Sequence, residues 1–121
     1  MPLAVFTTLH KESAAHRLAE SAVAARLAAC VHIETIASVF RWEGSVQREP
    51  EFRLLFKTTQ SAYPALAAHI LDAHPYDEPA LWAVPMAEGS ESFFAWIAAE
   101  TAPASQDPKL KDRGPKDPAT E

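Results

Sequence analysis

Cys30, His32 and Glu34 place a thiol, an imidazole and a carboxylate at every second position of one apolar stretch. In an extended strand such residues share a face and lie about 6.5–7 Å apart, close enough for two to share a metal ion. Thiolate with imidazole favours copper(I) or zinc over calcium or magnesium. The same trio also fits an ordinary strand in which the thiol is a small buried hydrophobe and Glu34 faces water. A second group follows at His74-Pro75-Tyr76-Asp77-Glu78. A histidine in a proline-stiffened loop beside two carboxylates can bind a divalent cation or move a proton. Equally, a histidine at a helix C-terminus can bond the last carbonyls. Cys30, His32, His74 and Glu78 are therefore the candidate metal ligands. Lys57, beside Thr58-Thr59 at a strand end, suits an anion or carboxylate, or else a solvated edge.

The elements that must position these groups are legible from hydrophobic period. Leu3 to Thr8 reads as a buried strand. From Ser13 to about Leu27, Ala14-Ala15, Leu18, Ala22 and Ala25 recur at helical spacing, with Glu12, Arg17, Glu20 and Arg26 on the solvent side. The β-branched run from Val31 to Val39 begins a second strand, and Glu43-Gly44-Ser45 turns it into a third, so residues 29–58 form a long hairpin. Pro50 in the second arm demands a bulge or an edge. Gln60 to Ala73 repeats the helical pattern, with Pro64 tolerated in its first turn. Leu81 to Met86 is a fourth strand. A short helix capped by Ser90 follows.

The order βαββαβ predicts an α+β, ferredoxin-like fold: two interleaved βαβ units forming a four-stranded antiparallel sheet, with both helices on one face. The other face would lie bare, and the hairpin outruns its neighbours. A symmetric oligomer answers both problems.

The chain has 121 residues and a net charge of −5, all of it carried by residues 1–101. That length fits one domain over residues 1–101. Residues 102–121 hold four prolines, eight charges and one large apolar residue, Leu110, the composition of a disordered tail. No basic stripe marks a nucleic-acid partner. One cysteine rules out an internal disulfide framework. The apolar start at Met1-Pro-Leu-Ala-Val-Phe reads as a strand rather than a signal peptide, and no segment is long enough for a membrane span. A cytoplasmic location, where a thiol stays reduced, is expected.

The ordered set Thr7-Thr8, Leu27-Ala-Ala-Cys-Val31, Trp42-Glu-Gly44 and His74-Pro-Tyr76 resembles the CutA divalent-cation tolerance family over residues 3–98. His32 stands where the family usually carries Asn, and Ala80 where relatives commonly carry Glu. The resemblance implies a homotrimer with sheets facing a three-fold axis, a role in tolerance of divalent metals such as copper, and a cleft to which Thr8, Lys57 and Tyr76 would contribute.

Two other classes compete. A PII-like signalling trimer shares the plan and binds a small anionic ligand between subunits, but it needs a long loop where this chain has Glu43-Gly44-Ser45, and basic groups for phosphate. An enzyme is not expected, because no nucleophile–base–acid order or metalloprotease motif is present.

Overall fold

Leu3, Val5, Thr7 and Leu9 are buried while Ala4, Phe6 and Thr8 between them are only partly covered, the two-residue period of a strand with one face on a core. The computed structural model describes residues 1–103. Its elements are β1 (Pro2–Leu9), α1 (Glu12–Ala24), β2 (Cys30–Trp42), β3 (Ser45–Thr59), α2 (Tyr63–Ala73), β4 (Leu81–Pro85) and α3 (Glu91–Thr101). The strands form one antiparallel sheet in the order β2-β3-β1-β4, the ferredoxin-like arrangement. The tail expected beyond Pro103 lies outside the described residues.

The first face of the sheet makes the core. Leu54 and Phe56 on β3 and Val5 and Leu9 on β1 pack with Leu18 and Ala22 of α1 and Leu66 and Ile70 of α2. Alanines at Ala15, Ala19 and Ala22 let α1 approach closely while keeping helix propensity. α2 starts later than the helical period suggests. The Thr59 hydroxyl accepts from the Ala62 N–H at 3.2 Å and holds residues 60–62 in a turn.

The hairpin is regular throughout, with Cys30 opposite Lys57 and Trp42 opposite Ser45 and no residue left over between them. Pro50 therefore causes no bulge. It sits on the part of β3 that runs past Leu9, the last residue of β1, so that stretch has a neighbour on one side only. This is the edge alternative of the sequence reading. Glu43 (φ 50) and Gly44 (φ 84) make a two-residue turn with both central residues left-handed, the type I′ geometry that matches strand twist.

Two expectations need correction. Arg26 is not a solvent-side helical residue, because α1 ends at Ala24. Arg26 N–H bonds to the Val23 carbonyl and Leu27 N–H to that of Ala22, a Schellman ending with arginine at φ 62 where glycine is usual. Its guanidinium donates to the carbonyls of Ala99 and Ala102, both at 2.7 Å. Charge-assisted bonds to the last carbonyls of α3 offset the roughly 1–2 kcal/mol cost of a left-handed non-glycine residue. Nor is the second sheet face wholly bare. α3 lies against β3 and β1, with the Lys57 ammonium 5.3 Å from the centre of the Phe93 ring. Since Lys57 points away from the Phe56 core, α3 covers that end of the second face. The rest shows Trp82 and Val84 exposed, as are Phe40 and Trp42 on the hairpin.

Candidate functional site

The regular register puts Cys30, His32, Glu34, Ser38, Phe40 and Trp42 on the second face, together with Gln47, Glu49, Glu51, Arg53 and Lys57 of β3. The same-face placement of the trio is as expected, but the neighbouring strand engages it with cations. Lys57 Nζ donates to His32 Nε2 at 3.2 Å. Arg53 holds the Glu34 carboxylate through Nε at 3.0 Å and a terminal nitrogen at 2.9 Å. Cys30 is half-buried, opposite Lys57. An ammonium on the imidazole lone pair disfavours a metal ion there.

His74 and Glu78 lie elsewhere. Thr8 is opposite Arg53 on β3, four residues from Lys57, roughly 13 Å along the strand. Around Thr8 the β1–α1 connection (His10), the loop after α2 (Tyr76, Asp77, Glu78, Ala80) and the long hairpin (Ser38, Phe40, Trp42, Gln47, Glu49, Glu51) enclose a cleft of about 860 Å³. Of the three expected cleft residues Thr8 and Tyr76 line it and Lys57 does not; of the candidate metal ligands Glu78 lines it, and Cys30 and His32 do not. The four candidate metal ligands are thus not brought together by one chain. Among the described residues no three His, Cys, Asp or Glu side chains converge well enough to hold an ion. Thr7, expected beside Thr8, is buried and donates to the Ala80 carbonyl at 2.7 Å, so it fixes the loop rather than facing the cleft.

His74 is the hinge of the site. Its Nε2–H donates to the Thr8 carbonyl at 2.9 Å, and its Nδ1 accepts from the Tyr76 N–H at 3.1 Å. Both ring nitrogens are occupied, which specifies the neutral Nε2–H tautomer and leaves no lone pair for an ion. Burial pushes its pKa below the ordinary 6.5, against smaller opposing effects of the Thr8 bond and the Glu51 charge. The folded form therefore binds this proton less readily than the unfolded chain, so His74 lowers stability as pH falls through and below 6.5. Melting temperature should decline from pH 7.5 towards 5, and His74→Gln should flatten that decline. An unchanged slope in the variant would remove His74 as its source.

Tyr76 stacks on His10 (ring centroids 5.4 Å apart, 15° between planes) and meets His74 edge-on at 4.8 Å. Its hydroxyl donates to Glu51 Oε2 at 2.7 Å, and the Ser38 hydroxyl donates to Glu51 Oε1 at the same distance. Burial, then the Glu51 bond and charge, raise the Tyr76 pKa well above its ordinary 10.0, so the phenol stays a donor. Glu51 lines the cleft and is fixed through both carboxylate oxygens.

Sequence reasoning missed Glu51, Glu49, Ser38 and His10. One signal was available: Glu49 and Glu51 alternate on one polar side of β3, between Gln47 and Arg53. The cleft presents Glu49, Glu51, Asp77 and Glu78, and among the described residues no lysine or arginine lines it. It therefore suits a cation, and lacks the basic group that the PII-like alternative requires.

Comparison with known proteins agrees with the fold. The family described as CutA1 divalent ion tolerance protein matches residues 3–100. A relative from Thermus thermophilus, named divalent-cation tolerance protein CutA, is 39% identical over 98 residues, covering 80% of this chain and 95% of its own length. The chloroplastic protein CutA of Arabidopsis thaliana is 39% identical over 100 residues, 82% of this chain but only 55% of the plant protein. A solved structure of the Thermus thermophilus protein superposes with a TM-score of 0.80 at 38% identity, covering 84% of this chain and 100% of that one. The family match across residues 3–100, with 39% identity over 95% of a relative's length, shows a shared family, and this chain belongs to the CutA1 divalent ion tolerance proteins.

Proposed function

We propose that this protein is a non-catalytic, cytosolic homotrimer that binds divalent cations in the service of metal tolerance. The observation that carries the binding site is the cleft itself: four carboxylates from two separate segments and, among the described residues, no lysine or arginine on its walls. Its donors are oxygens, which suit hard divalent ions. With no three of them convergent, an ion would be held through one or two carboxylates and its own water, the manner typical of magnesium. Glu51, oriented by Ser38 and Tyr76, is the leading ligand. The softer alternative, copper or zinc at Cys30 and His32, would require Lys57 to leave the imidazole. Trimerisation is supported by the exposed apolar residues of the second sheet face, and a reducing compartment by the unpaired Cys30.

Equilibrium titration of the full chain with Mn²⁺, Zn²⁺ and Cu²⁺ tests this. Saturable binding is expected, weakened at least tenfold by Glu51→Gln, about 1.4 kcal/mol. Loss on Cys30→Ser with no effect of Glu51→Gln would move the site to β2 and restore the thiolate–imidazole assignment. Absence of saturable binding for every ion would refute the cation reading.

A further inference from the structure

The terminal helix α3 is held differently from the rest of the molecule. Its buried apolar residue, Ile97, lies outside the contiguous core that joins the sheet to α1 and α2. Thr101, also buried, spends its hydroxyl on the Ile97 carbonyl at 2.9 Å, within the same helix. The sheet lets go of the chain at Met86, whose N–H donates to the Pro2 carbonyl at 2.9 Å. Residues 87–90 then cross to α3 without helix or strand.

Two attachments fix the helix to the sheet. Near its start the Phe93 ring meets the Lys57 ammonium. At its end α3 has no basic residue in the last turn, and Arg26 serves the Ala99 and Ala102 carbonyls from another segment. That segment is itself tied to β3. The Thr58 hydroxyl donates to the Leu27 carbonyl, and the Ala29 N–H donates to the Lys57 carbonyl, both at 2.8 Å. The backbone at Arg26, with φ 62, would be better served by glycine. What the arginine adds therefore lies in its side chain, whose hydrogen-bond partners among the described residues are these two carbonyls.

We infer that α3 is a lid that opens and closes as a unit on the folded domain, hinged at residues 87–90 and latched by Arg26. Closed, it pins Lys57 between the Phe93 ring and His32 Nε2. Open, it releases that ammonium and leaves the core of β1, β3, α1 and α2 intact. Segments whose burial does not join the main core are the ones that open locally, below the cost of global unfolding. The inference goes beyond the proposed function and needs neither the cation cleft nor the trimer.

Hydrogen–deuterium exchange of the full-length protein, read by mass spectrometry at one fixed concentration, tests it. In the parent, amides of α3 should exchange at least about tenfold faster than those of β1 and α2. Arg26→Gly should speed α3 by a further factor of about ten, while β1 and α2 stay unchanged or slow down as backbone strain is relieved. Arg26→Lys, with one ammonium in place of the planar fork, should fall between. Phe93→Leu loosens the other attachment and should speed the same amides, which keeps the lid testable if the Arg26 variants give little folded protein. Exchange of α3 in step with the core in every protein would show that it opens only by global unfolding, and would overturn the lid. Equal acceleration of all segments by Arg26→Gly would make Arg26 a general stabiliser, and an unchanged α3 would show that it holds nothing; either result overturns the latch.

Discussion

Phe56→Ala is expected to lower the unfolding free energy by about 3–5 kcal/mol. Phe56 is fully buried and lies between Val5 on β1 and Val31 on β2 in the strand register. Removing the ring deletes apolar contact at the centre of the core and leaves a void that rigid strands on both sides cannot close. Against a total stability of roughly 5–15 kcal/mol for a native domain, that loss is a large share. Phe56→Leu, which keeps most of the volume, should cost under about 1.5 kcal/mol. Denaturant unfolding at one fixed protein concentration measures both, because an associating protein gains apparent stability by mass action. A loss below about 1 kcal/mol for the alanine variant would show that the sheet collapses onto the void. The consequence reaches the cleft, since the inward set at Phe52, Leu54 and Phe56 forces Glu49, Glu51 and Arg53 onto the opposite face.

That coupling explains what was legible in the sequence. The fold follows from local periods: alternation in β1 and β3, helical spacing in α1 and α2, a turn at Glu43-Gly44 and a cap at Ser90. Each is a statement about residues close in the chain. The same-side placement of Cys30, His32 and Glu34 was equally local and held. Their chemical meaning was not, because it depends on what faces them across the hairpin. Lys57 beside His32 and Arg53 against Glu34 turn candidate ligands into cross-strand pairs. His74 shows the same limit. Its place at the end of α2 was readable, but the Thr8 carbonyl that accepts its hydrogen bond lies 66 residues away in sequence. The cleft is assembled from three separate segments, so a sequence window shows Glu51 as one more strand carboxylate. Arg26 is the converse case. A charged residue after a helix reads as solvent-facing, whereas its partners are the last carbonyls of α3.

Trp82→Glu is expected to convert the proposed assembly into single chains. Trp82 stacks on Phe6 at 5.1 Å with 11° between planes, and the Arg53 guanidinium sits 5.7 Å from the Phe6 ring centre. This patch continues to Val84 on β4, and both Trp82 and Val84 are more than two-fifths exposed in the isolated chain. Large aromatic residues at the centre of a covered face carry much of an interface's binding energy. In a three-fold arrangement a carboxylate placed there would be repeated three times around the axis, adding like-charge repulsion to a desolvation cost of several kcal/mol per ion. Sedimentation velocity should find three 13.2 kDa chains moving together at about 40 kDa in the parent, and the single-chain mass in the variant. Lys11→Glu, at an exposed residue just before α1, should leave the mass unchanged and controls for net charge. A parent that sediments as one chain at micromolar concentration would refute the trimer. A variant that stays at the parent mass would instead place the contact on the hairpin residues Phe40 and Trp42, which are also exposed in the isolated chain.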